Sequence, residues 1–154
     1  MDTDGSALTQ LTRDQCLHLM TSVPVGRIIY TRQALPAVEL VNFAVYNGDI
    51  IVRTDLGGKL AAAIRGAVVA FEADHLDTER RVGWSVTAIG QSQEVTDPEE
   101  IGRLRRIGLS SWAPGDREHF IRISPGILNG RRLTAHPSDQ VQRILQECAS
   151  AGSC

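Results

Sequence analysis

The chain has 154 residues, 42% of them apolar and 22% charged, with a formal net charge of -2. This suits one globular domain with one core and argues against disorder. The balanced charge offers no global attraction to nucleic acid or an anionic membrane, and the longest apolar runs, 60–64 and 67–71, are far too short to span a bilayer.

Residues 1–10 are polar and acidic and read as a disordered lead-in. They lack the basic start and apolar run of a signal peptide, so a cytoplasmic location is expected. Thr12 and Gln15 form a capping-box pattern, and Cys16, Leu17 and Met20 share a face, which predicts a short helix over 12–22. Pro24 stops it. The β-branched and aromatic stretch 26–31 reads as a strand, 33–36 as a turn and 38–46 as a second strand. Asn47-Gly48 is a hairpin signal, since both residues accept positive φ at little cost, so the third strand, 49–54, runs antiparallel to the second.

Residues 57–65 read as a short helix ended by Gly66, 68–73 as a strand, 74–80 as a charged loop and 82–94 as a long strand. Asp97-Pro98-Glu99-Glu100 starts a helix running to about Leu109, with Asp as cap, Pro in the first position and acids at the positive end. Trp112-Ala113-Pro114-Gly115 is a loop in which Trp112 reads as a packing anchor, with a stacking plate as the alternative. Residues 119–124 and 127–133 are expected as separate sixth and seventh strands, with Asn129-Gly130 as a bulge or turn. In the tail, Val141, Ile144 and Leu145 sit at helical spacing, giving either a docking helix or a frayed end. Strands dominate and their hairpins are antiparallel, so closure into a barrel is the expected way to remove sheet edges.

Cys16, Cys148 and Cys154 are odd in number and show no C-x-x-C spacing, so free thiols are expected rather than disulfides or zinc. His18, His75, His119 and His136 are scattered, and no metal site is expected. Arg103, Arg105 and Arg106 read as a solvated helix face, without the aromatic interleaving of a nucleic-acid site.

The basic residues number 16, of which Lys59 is the one lysine. It follows Arg53-Thr54 across two glycines and begins a helix. A guanidinium, a hydroxyl and an ammonium beside glycines and a helix start suit a phosphate. The alternative is a solvated loop with charges placed by chance.

Several segments resemble, in order, the pyridoxamine-phosphate-oxidase-like family. They are Pro24-Val25-Gly26-Arg27-Ile28, residues 36–43, Asp49 to Thr54 with Gly58-Lys59-Leu60, residues 68–73, Gly83-Trp84-Ser85-Val86, Trp112 to Gly115 and residues 127–133. The later ones resemble its actinobacterial branch. The resemblance spans about 10–134 and implies an antiparallel split β-barrel of six to seven strands over 11–134, followed by a tail at 135–154. It also implies a homodimer with FMN, or alternatively the deazaflavin F420, between subunits.

By motif, Arg53, Thr54 and Lys59 would hold the cofactor phosphate, with Leu60 next to them in the cofactor-binding stretch. Val41, Asn42 and Phe43 would line the ring, largely through backbone groups. Trp84 and Ser85 lie on the strand that reaches toward the cofactor, and Trp84 reads equally as core or cofactor wall. The implied activity is hydride transfer to or from a small organic substrate; the alternative is a non-catalytic flavin, deazaflavin or haem binding or storage protein. The chain has Asn129-Gly130-Arg131-Arg132-Leu133 where true pyridoxamine phosphate oxidases carry Arg-x-His, which argues against vitamin B6 oxidation. It has Gly58 where those enzymes often place a second basic residue.

Overall fold

The computed structural model of the protein describes residues 8–54, 59–112, 119–135 and 137–152. Thr12 caps helix α1 (Arg13–Met20), with the reciprocal Gln15 bond in place. Strands β2 (Val25–Arg32) and β3 (Leu35–Tyr46) form a hairpin whose two loop residues, Gln33 and Ala34, both have positive φ. The turn is therefore tighter than the expected 33–36. Asn47 and Gly48, also at positive φ, join β3 to β4 (Asp49–Thr54). This mirror-image turn chemistry matches strand twist.

After α2 (Lys59–Ile64) come β5 (Val68–Asp77) and β6 (Val82–Glu94). Strand β5 runs four residues past its expected end, because Asp74 to Asp77 pair with Val82 to Ser85. Helix α3 (Pro98–Arg106) starts with Pro98 as expected, although the Asp97 side chain makes no capping bond. The helix stops at Arg106, before the expected Leu109, and Gly108, at φ +73°, turns the chain away just past its cap residue Ile107.

Two expectations are corrected. Residues 8–10 belong to strand β1 (Leu8–Leu11), which pairs with the chain's last strand. The expected sixth and seventh strands are one, β7 (His119–Leu133). Ile89 pairs with Ile127 but Gly90 with Pro125, so Gly126 is an extra residue, a β-bulge that accommodates the proline without ending the strand. Asn129-Gly130 makes no turn. The tail forms α4 (Pro137–Ala151). No helix of the described residues is long and apolar enough to cross a membrane.

The sheet order is β1-β7-β4-β3-β2-β5-β6, and β6 pairs back onto β7. Six strands thus close a barrel. The free edge of β7 is shared, β4 taking its first five residues and β1 its last four. The barrel is filled by residues such as Ile28, Phe43, Phe71 and Val86, with Cys16 and Met20 from α1 and Leu60, Ala61 and Ile64 from α2. A second cluster, Ile51, Val95, Leu104, Leu109 and Phe120, lies beneath α3 on the other face of β4 and β7. Arg122 ties these layers together through Asp49 and Glu100. Cys16 and Cys148 are free thiols, and burial pushes the Cys16 thiol up. Cys154 lies outside the described residues.

Outside the barrel, register aligns Val38, Ile29, Ala70, Ile89 and Ile127 as direct cross-strand partners over five strands. Val38 is 60% exposed and Ile127 52%, so the row is an apolar band on the surface. Arg27 flanks it, paired with Glu72 at 2.9 Å and Asp74 at 3.3 Å. Burial, together with the nearby Asp74, pushes the Glu72 carboxyl up against the pull of Arg27.

Candidate functional site

Adjacent strand residues point to opposite faces, and this divides the sequence-predicted site. On β4, Thr54 shares the barrel-facing side with Ile50 and Val52, and it is buried. Arg53 shares the outer side with Ile51. Its guanidinium donates to the Leu109 carbonyl at 2.9 Å and lies 5.6 Å from the centre of the Phe120 ring. Arg53 and Thr54 therefore do not converge as a side-chain pair. The backbone of Lys59 opens α2, while its side chain, with Gly57 and Gly58, lies outside the described residues.

Strand β3 borders a cleft of about 400 Å³. One wall is the end of α1 and its link to β2, from Met20 to Pro24. The floor is Phe43, Ala44 and Val45, and the opposite wall is Ile107 to Ser110. Asn42 connects both walls: its amide nitrogen lies 3.5 Å from the Pro24 carbonyl, and its amide oxygen accepts the Trp112 N–H at 3.0 Å. The Phe43 N–H also donates to the Pro24 carbonyl, at 3.2 Å. Asn42 pairs with Arg53 in the β3–β4 ladder, and Leu109 belongs to the cleft wall, so Arg53 stands at the cleft edge.

Trp112 is 70% exposed beside this edge and is not the packing anchor expected from sequence. Residues 113–118 of its loop lie outside the described residues. Among the described residues lining the cleft, none has an ionisable side chain.

The remaining predicted residues fall elsewhere. Val41, Phe43 and Leu60 put their side chains into the barrel core, where Phe43 meets Phe71 edge-on at 4.8 Å. Only backbone at Val41 is left to face a ligand, whereas Phe43 also borders the cleft. Trp84 is a core residue, 7% exposed. Ser85 is exposed on the outer face. Trp84 pairs with Arg132 near the end of β7, whereas Thr54 pairs with His119 at its beginning, so one chain does not bring Trp84 and Ser85 to the β4 end. His119 is held by Glu94 at 2.9 Å and is half-exposed.

Sequence reasoning missed the walls at Thr21 to Val23 and Ile107 to Ser110. Their one signal was position, since each follows a helix end and adjoins a motif residue.

Comparison with known proteins gives the frame for this geometry. The profile of the family described as pyridoxamine 5'-phosphate oxidase matches residues 12–132. An uncharacterized protein of Mycobacterium tuberculosis is 42% identical over 133 residues, covering 83% of this chain and 87% of its own. The solved structure of an FAD binding protein from Mycobacterium smegmatis is 34% identical with a TM-score of 0.72, covering 82% of this chain and 98% of that one. A Corynebacterium glutamicum structure assigned to the pyridoxamine 5'-phosphate oxidases is 29% identical with a TM-score of 0.76, covering 88% of this chain and 97% of that one. A closed barrel on which these motifs fall in order, matched by the profile from α1 to the end of β7, places the chain in the pyridoxamine 5'-phosphate oxidase family, with the split-barrel fold of its structural relatives.

Proposed function

We propose that this protein binds a flavin in the cleft between the α1–β2 link, β3 and the segment after α3, and acts as an oxidoreductase on a small organic substrate. The observation that carries this reading is the cleft itself. It has walls of mixed apolar and hydroxyl side chains, backbone polar groups along β3, and an arginine at its edge, which suits a planar heteroaromatic ring with a phosphate-bearing chain. The similar M. smegmatis protein is an FAD binding protein, which supports a flavin. FMN is the cofactor this reading favours, with F420 as the alternative.

In this arrangement Asn42 fixes both walls, and Arg53 and Lys59 attract the phosphate. The bound flavin supplies hydride transfer, and the protein supplies position and exclusion of water. The lack of ionisable side chains among the described residues of the cleft lining fits that division of labour. It also favours a second reading, in which the protein binds a flavin without catalysing a reaction on a substrate.

The protein works as a homodimer in this proposal. The apolar band from Val38 to Ile127 supports it, because a contiguous exposed apolar surface is characteristic of an interaction face. Ser85 enters the site only if a second protomer supplies it. The setting is cytoplasmic in this reading.

Fluorescence titration of the purified protein with FMN, FAD, F420 and riboflavin tests the assignment. Saturable binding of a phosphorylated flavin or of F420, tighter than riboflavin, is expected. Weak, unsaturable binding of all four contradicts it. Reduction of the bound cofactor by a nicotinamide, followed by transfer to an acceptor, separates the enzyme from the binder.

A further inference from the structure

Helix α4 lies beyond the family match, which ends at residue 132. At its spacing Val141, Ile144 and Leu145 share one face, while Gln142, Arg143 and Gln146 share the opposite one. Packing alone would turn the apolar face inward. The structure does the reverse: Val141, Ile144 and Leu145 are 56%, 59% and 62% exposed. The polar face looks instead across a cavity of about 300 Å³ at the β5–β6 turn, where Glu79, Arg80, Arg81 and Ala135 complete the described lining.

That turn is built to hold its arginines in place. The Asp77 carboxylate accepts the backbone N–H groups of Glu79 and Arg80 at 3.1 and 2.9 Å, and it lies 3.7 Å from the Arg80 guanidinium. Arg81 sits at φ +54°, an uncommon region for a non-glycine residue. Neither Arg81 nor Arg143 makes an ion pair with any described residue.

We propose that this cavity is a second ligand site, which takes a small anion carrying two or more phosphate-type charges. Three guanidiniums stand against two carboxylates, Glu79 in the lining and Asp77 beside Arg80, and the two arginines without an ion pair, Arg81 and Arg143, leave the cavity net positive. Two glutamine amides add neutral donors, and planar guanidinium forks match phosphate oxygens. The volume suits a small molecule rather than a folded partner. The site is separate from the flavin cleft, with which it shares no lining residue.

Isothermal titration of the full chain with inorganic pyrophosphate tests the proposal. Saturable binding is expected, tighter than for inorganic phosphate. Arg143→Gln and Arg81→Gly should each weaken it about tenfold or more, the effect of losing one charge-assisted bond. Arg81→Gly also relieves the left-handed backbone, so it should fold at least as well as the parent. Lys59→Ala should bind pyrophosphate like the parent. Pyrophosphate binding that survives both arginine changes, or that disappears with Lys59→Ala, overturns the assignment, as does no saturable binding up to about 10 mM, where any affinity is below that of a functional site.

Discussion

Gly90→Ala is expected to destabilise the protein by about 3 kcal/mol, the upper end of ordinary overpacking. Gly90 lies on β6 where the register with β7 shifts. An added Cβ would collide with the Ser124 carbonyl oxygen, and it would stand 2.7 Å from the Ser124 carbonyl carbon and 3.1 Å from Pro125 Cα. These are backbone atoms on the strand that closes the barrel, and they cannot turn aside as a side-chain tip would. Relief requires undoing the bulge or parting β6 from β7. For a domain this size the melting temperature should fall by roughly 10 °C. Gly102→Ala is the matched control: its Cβ meets nothing within 4 Å inside α3, and helix propensity predicts a gain of about 1 kcal/mol. Thermal melts of the two variants check the pair. A Gly90→Ala protein that melts with the parent would mean the bulge is not where the barrel is pinned.

Arg53→Ala should reduce FMN affinity about tenfold to a hundredfold, the range for losing one charge-assisted bond to a phosphate oxygen. Riboflavin, which has the same ring and no phosphate, should bind the variant much as it binds the parent. The variant should also lose about 1 kcal/mol of stability, because the guanidinium donates to the Leu109 carbonyl and lies against the Phe120 ring. Comparing the two ligands separates these effects. If FMN and riboflavin weaken together, Arg53 only props the cleft wall, and the phosphate is held elsewhere.

Local signals in the chain were reliable where a few residues set the geometry. Thr12 and Gln15 cap α1, Asn47-Gly48 turns the hairpin, and Pro98 opens α3. They failed where partners were remote. Leu8 to Leu11 look unstructured alone, and only pairing with Gly130 to Leu133, at the other end of the barrel domain, makes them a strand. Ser124-Pro125-Gly126 carries turn chemistry, yet tertiary pairing on both sides turns it into a bulge within β7.

The candidate site was legible as a set of segments but not as an arrangement. Strand pleat separates Arg53 from Thr54, and the length of β7 separates Trp84 and Ser85 from both. The cleft walls depend on Asn42 linking Pro24 to Trp112, contacts that no spacing in the sequence announces. The apolar band was hidden for the same reason, since its five members come from five strands and align only through register.

The most direct test of flavin binding in this cleft is a crystal structure of the protein grown with excess FMN. The account predicts the ring over Phe43 to Val45, between Pro24 and Leu109, with the phosphate toward Arg53 and the start of α2. Clear density for FMN at another place, or a cleft closed by protein in crystals that hold saturating FMN, would contradict it.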